Sequence, residues 1–119
     1  MANKQKGESD LRVGGKVYTL RYSTNALCVL EDAFDDTVQN IAKRFENTSN
    51  GVRMSDVRMF FHAALTDNHP DIDLAAAGLI ISDAGIDVAM ASASEAFQLA
   101  FAPSVAGAET PKGKRKTLG

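Results

Sequence analysis

Gly14-Gly15 stands between two short runs in which apolar and polar residues interleave, and from Ser23 onward the apolar residues recur at helical spacing instead. This change of period constrains the fold more than any other feature: a strand pair at the front, helices behind it. In the first run Leu11 and Val13 flank Arg12. In the second, Val17 and Leu20 are interleaved with Lys16, Thr19 and Arg21, with Tyr18 beside Val17 putting apolar surface on both faces. A Gly-Gly link permits positive φ at both central residues, as a tight, twisted hairpin requires. Strands are predicted at about 9–13 and 16–22. A lone ribbon of two strands is marginal in water, so one of its faces must pack on helices.

Ala26, Leu27, Leu30, Ala33 and Phe34 form one helical stripe that Ser23 or Thr24 would cap. Asp36 followed by Gln39 has the form of a capping box, opening a short amphipathic helix with Val38, Ile41, Ala42 and Phe45. Asn47 to Gly51 reads as a loop. Ser55 is the expected cap of a third helix, in which Val57, Phe60, Phe61, Ala64 and Leu65 line one face. Pro70 breaks the pattern, and Asp71 or Asp73 restarts it as a fourth helix over about 72–84 that ends against Gly85 in a left-handed stop. Asp87 is the expected cap of a fifth helix over about 88–102, with Ala89, Ala93, Ala96, Phe97, Ala100 and Phe101 along one side and Pro103 closing it. The fold class is therefore α+β, mainly α: a hairpin and a small bundle of about five helices. Its organisation is a flexible N-terminus at 1–7, a hairpin-plus-helix domain at 8–102 and a disordered basic tail at 103–119.

The 119 residues suffice for one domain. Eight aromatics, 6 Phe and 2 Tyr, serve a modest core. The overall charge of −2 conceals an asymmetry: residues 8–102 hold 7 basic and 14 acidic side chains, while Lys112, Lys114, Arg115 and Lys116 concentrate positive charge in the tail. An acidic body argues against a nucleic-acid face, which needs clustered Lys and Arg. The longest charge-free apolar run, Leu74 to Ser82, is far short of the ~20 residues that cross a bilayer, so no membrane partner is expected. Cys28, between Leu27 and Val29, is expected to be a buried, inert thiol, and a single Cys with no secretory signal points to the cytoplasm.

Residues that carry chemistry are few. His62, His69, Asp71 and Asp73 are of metal-ligating type, but the histidines fall on different elements and the aspartates are better explained as caps beside Pro70. Asp83 and Asp87 lack the ligand spacing of a calcium loop. Gly14-Gly15 joins two strands rather than opening a helix, so it is no phosphate loop. Ser92 and Ser94 have no His at partner spacing. No catalytic residue, metal ligand or cofactor site is assigned, and no enzyme is expected. The fifth helix carries apolar residues on two sides, with Leu99 turned about 200° from the Phe97 line. That pattern suits a partner groove, and Met90, Phe97, Leu99 and Phe101 are the candidate partner-binding residues. The Ala-rich face also permits close approach of a second copy.

The opening Gly7-Glu8, then Leu11, Gly14-Gly15-Lys16, Tyr18, Leu20-Arg21, Asn25-Ala26-Leu27 and Leu30-Glu31, with Val57 to Leu65 and Ile80 to Ile86 behind, resembles the siphophage and gene-transfer-agent tail assembly chaperone family over about residues 7–101. Tyr22-Ser23 and the long basic tail depart from the family pattern. The resemblance implies a non-enzymatic protein of the host bacterial cytoplasm that transiently binds the tape measure protein during tail morphogenesis, with the tail tube protein and self-association as further contacts. The alternative is a structural virion component of the tail or head–tail connection. Because tail tubes are dominated by β-sheet, the helical content is expected to disfavour a tube role.

Overall fold

A computed structural model of the chain describes residues 6–46 and 51–101. Two strands, β1 (Glu8–Val13) and β2 (Lys16–Arg21), precede five helices: α1 (Thr24–Phe34), α2 (Val38–Glu46), α3 (Met54–Leu65), α4 (Leu74–Ala84) and α5 (Ile86–Phe101). The architecture is the α+β, mainly helical one that the change of period predicts. The expected loop at 47–50, the start at 1–5 and the basic tail at 103–119 lie outside the described residues.

Gly14 and Gly15 take φ of 54° and 85°, conformations that side-chain-bearing residues rarely adopt, and close an antiparallel pair in which Ser9 faces Leu20 and Leu11 faces Tyr18. Ser9, Leu11 and Leu20 are buried on the inner face, with Tyr18 partly buried beside them. The pleat turns Val17 outward, where it is exposed, so Tyr18 rather than Val17 is the inward partner of Leu20. Both ribbon edges are met near their middle. On the β2 edge the Thr19 amide donates to His69 Nε2 (2.9 Å), and on the β1 edge Ser92 Oγ of α5 donates to the Asp10 carbonyl (3.3 Å). Ser9 Oγ donates to Glu95 Oε1 (2.7 Å), tying the same strand to α5.

The helix ends show which local signals win. Ser23 caps α1, its Oγ accepting from the Ala26 amide (3.1 Å), and Asp73 caps α4 through the Ala76 amide (2.8 Å), as the polar residues ahead of each stripe predict. Elsewhere the cap differs from the expected one. At α2 it is Thr37, whose Oγ1 accepts from the Asn40 amide (3.1 Å), while Asp36 accepts from the Thr37 amide and the Asn40 side chain. At α3 the cap position falls on Arg53, with no side-chain bond, and Ser55 lies inside the first turn. At α5 the Gly85 carbonyl receives the Ala89 amide, placing Asp87 inside the helix. Gly85 itself is not a left-handed stop: φ 95° and ψ 137° swing the chain so that α4 and α5 are bent by 115°. No described helix is long and apolar enough to cross a membrane on its own.

The core sits where α3 crosses beneath the hairpin, with Val57, Phe60, Phe61, Ala64 and Leu65 all buried as their spacing predicts. Tyr22, just beyond β2, is also buried, and its hydroxyl donates to the Phe60 carbonyl (2.6 Å). Cys28 is exposed, not buried: Ala26, Leu30 and Phe34 set the inward face of α1, and Cys28 stands on the other side of it. Arg44 reaches from α2 to Asp36 (3.3 Å) and to Asp56 at the start of α3 (3.8 Å), with its guanidinium 5.5 Å from the Phe34 ring centre. The hydrogen bonds from Asn40 and the Thr37 amide, and then Arg44, hold the Asp36 carboxyl below its ordinary range.

Burial pushes the Tyr22 phenol well above its usual value of 10.0. A group whose folded pKa is raised contributes stability that is complete below the unfolded value and is lost as pH climbs through the folded one. Tyr22→Phe is therefore expected to lower unfolding free energy by about 1 kcal/mol at neutral pH through the lost hydrogen bond. It should also flatten the decline in stability above pH 10.0. Urea denaturation across neutral and alkaline pH measures both effects, and parallel curves for the two proteins would refute the burial argument.

Candidate functional site

The strongest concentration of aromatic side chains runs through the molecule and emerges at one end of α5. The Phe45 ring stacks on Phe60 (4.5 Å between centres), Phe60 lies 5.2 Å from Phe97, and Phe97 lies 5.0 Å from Phe101 edge-to-face. Tyr22 closes the group, 5.1 Å from Phe60 and 5.2 Å from Phe97. Because α2 leans on α1 rather than on α5, a groove of about 490 Å³ opens between α2 and α5. Val38, Ala42, Lys43 and Glu46 form one wall, and Phe97 and Phe101 the other. A smaller cavity of about 130 Å³, lined by Phe45, Phe60 and Ser94 among others, borders the same Ala42–Phe97 side.

The four candidate partner-binding residues do not form one site. Phe97 and Phe101 share the groove; Phe97 is half-buried in the aromatic group, and Phe101 is 53% exposed at the rim. Met90 is partly buried and packed on the core. Leu99 lies on another side of α5, against the entry to β1, where a Cβ on Gly7 would stand 3.9 Å from its own Cβ.

A second open surface is one that the sequence reading leaves unmarked. A groove of about 570 Å³ runs between α3, α4 and the start of α5, lined by Met54, Arg58, Gly78, Ile81 and Ile86 with neighbouring serines. Its lining residues Met54 and Ile86 are each about half exposed, and elsewhere on α4 and α5 Leu79 is 67% exposed and Val88 about half. The only signal for it in the sequence is that α4, Leu-Ala-Ala-Ala-Gly-Leu-Ile-Ile, is apolar on every side. A helix of that kind gives no polar stripe to mark which face meets solvent.

Four of the polar residues weighed for chemistry, His62, His69, Asp73 and Ser92, are engaged structurally. His69 Nε2 accepts from the Thr19 amide, which places the ring proton on Nδ1, and the ring meets Tyr18 edge-on at 5.5 Å. His62 Nε2 pairs with the Ile72 carbonyl (2.9 Å), and Asp73 is a helix cap. Ser92 serves the β1 edge. Among the described residues no three His, Cys, Asp or Glu side chains converge as a metal site would need.

Fold and surfaces together define a small, mainly helical protein whose open features are apolar grooves between helices. The family model described as phage tail tube protein, GTA-gp10, matches residues 6–102, and the chain belongs to that family. No curated protein and no solved structure matches the chain. The family match supports the phage and gene-transfer-agent tail setting that the sequence resemblance implies. It overturns the assignment as a tail assembly chaperone, since the family is described as a structural tail component, and the tape measure protein loses its place as the assigned partner. The expectation that helical content disfavours a tube role is corrected with it: this mainly helical chain falls within a family of that description.

The two groove phenylalanines should separate cleanly. Phe97→Ala removes a ring that touches Tyr22, Phe60 and Phe101, and is expected to cost about 3 kcal/mol. Phe101→Ser, at the exposed rim, should change stability by no more than about 0.5 kcal/mol. Chemical denaturation of both variants checks this. Equal losses would mean that Phe101 belongs to the core.

Proposed function

We propose that the chain is a structural component of a phage or gene-transfer-agent tail, working through non-covalent association with other tail proteins or further copies of itself. The observation that carries this reading is the match, over residues 6–102, to a family described as phage tail tube protein. The surface chemistry agrees with it. Permanent assembly depends on apolar area withdrawn from water at a subunit boundary. Leu79, Val88, Met54, Ile86 and Phe101 supply such area on the outside of the helices.

The chain acts in this reading without catalysis and without a cofactor. Several residues able to do acid–base or nucleophilic work serve as caps and cross-links: Asp73 and Thr37 at helix starts, Ser9 to Glu95, His69 to the β2 edge. Synthesis in the host bacterial cytoplasm, ahead of incorporation into the particle, follows as part of the same proposal.

Quantitative mass spectrometry of purified particles tests it. The chain is expected at a fixed ratio to the other tail proteins across preparations and after stringent washing. Finding it only in the assembly lysate, and absent from finished particles, would overturn the proposal.

A further inference from the structure

The α2–α5 groove opens at the end of α5, where Phe101 stands 53% exposed at its rim. Ser94 and Phe45 line only the smaller cavity, whereas Val38, Gln39 and Phe101 line only the larger groove. α5 therefore departs towards the start of α2. The end of α1 meets that point too, since the Val38 amide donates to Glu31 Oε2 (2.9 Å). Four carboxylates, Glu31, Asp32, Asp35 and Asp36, fall within six residues at this junction. Glu31 is held by the Val38 amide, and Asp36 by Asn40 and Arg44. Asp32 and Asp35 are exposed, and neither side chain has a partner among the described residues.

The sequence beyond Phe101 is divided in composition. Residues 103–108, Pro-Ser-Val-Ala-Gly-Ala, carry no charge, and Val105 is the one branched apolar side chain among them. Residues 112–116 then carry Lys112, Lys114, Arg115 and Lys116 with no acid between them. The neutral part suits a groove whose apolar walls are Val38, Ala42, Phe97 and Phe101 and whose two charges, Lys43 and Glu46, are one of each sign. The basic part suits the two unpaired carboxylates. Reach is ample: the stretch from Phe101 to Lys112 can span up to about 36 Å, while α2 is only about 14 Å long. Tethering favours this occupant over a free one, because a linked segment meets its site at an effective concentration on the order of mM. Composition alone predicts a disordered tail, but the surface at its root offers it a binding site.

We propose that residues 103–116 are an internal ligand of the α2–α5 groove, with Val105 seated beside Phe101 and the basic stretch paired with Asp32 and Asp35. The contact covers Phe101 in the free chain. In the structural-subunit reading, on which this consequence rests, a tail protein that uses Phe101 must first displace the segment. The test uses the isolated full-length chain, so its failure is distinct from the absence of the chain from particles.

Cys28, the single cysteine, is exposed one helical turn before Asp32, and a nitroxide attached there reports what approaches the junction. In the isotope-labelled full-length chain at low salt, nuclear magnetic resonance is expected to show the amides of 112–116 broadened by the nitroxide. The Val105 methyls should show through-space contacts to the Phe101 ring. Raising salt to about 0.5 M screens exposed charges and should remove most of the broadening. Asp32→Asn combined with Asp35→Asn should do the same, and Asn is tolerated at the left-handed backbone of Asp35 (φ 51°). Val105→Asp should also reduce the broadening of 112–116 while leaving the core signals in place. Equal broadening in the double Asn variant, indifference to Val105→Asp, or no contact between Val105 and Phe101 overturns the proposal. So does broadening in a mixture of nitroxide-bearing unlabelled chain with labelled chain free of nitroxide, which would place the contact between copies.

Discussion

Phe60 is the residue on which the rest of the structure converges. Its ring stacks on Phe45 of α2, touches Phe97 of α5 and lies against Tyr22 at the junction of β2 and α1. Its carbonyl accepts the Tyr22 hydroxyl besides belonging to the α3 backbone. One position in α3 thus fixes three other segments, from regions of the chain far apart in sequence. Offset and edge-on ring pairs hold orientation as well as area, and a buried hydroxyl with a single well-placed acceptor penalises any arrangement that separates the two. In a chain with no Trp and only six Phe, no other ring among the described residues meets rings from so many segments. The direction in which α5 leaves this centre decides where Phe101 emerges, and hence that a groove exists between α2 and α5 at all.

What could be read in the sequence was local. Gly14-Gly15 needs nothing beyond its own backbone freedom to place a turn, and the spacing of Val57, Phe60, Phe61, Ala64 and Leu65 describes one face of a helix whatever packs against it. The misread features are those that depend on distant contacts. Several polar residues precede each helix, and the one that becomes the cap is set by where packing starts the helix. Hence Arg53 and Gly85 stand where Ser55 and Asp87 are the better intrinsic caps. Cys28 is apolar in its sequence neighbourhood but exposed on the helix, because Ala26, Leu30 and Phe34 define the inward face and Cys28 is not on it.

The surface was less legible than the core for a related reason. Periodicity identifies the solvent face of a helix by its polar residues, and α4 has almost none before Ser82. Leu79 and Ile80 are adjacent, similar in size and almost equally apolar, yet one is 67% exposed and the other 7%. Only the packing of α4 against α3, α5 and β1 distinguishes them. On α5 both sides are apolar, and the core takes Met90 while the entry to β1 takes Leu99. The distinction between transient coating and permanent assembly is finer still. Both roles use exposed apolar helix, so the residues leave them open, and only the match to a family described as phage tail tube protein bears on the choice.

The hairpin bears on how such a protein can assemble. An exposed strand edge offers a row of unpaired amides and carbonyls to any other chain, and a subunit made of sheet can join its neighbours by extending that row. Here His69 takes the Thr19 amide on one edge, and Ser92 meets the Asp10 carbonyl on the other. Arg21 folds back over the Lys6 carbonyl and reaches Asp67 as well. With its middle residues engaged on both sides, the ribbon is poorly placed to recruit a strand. The association that a structural tail protein requires is thereby shifted to the helices, where Leu79, Ile86, Val88 and Phe101 remain outside the core. The same fold that uses its two strands to cover α3 and α5 leaves its helix faces as the surfaces through which it can be built into something larger.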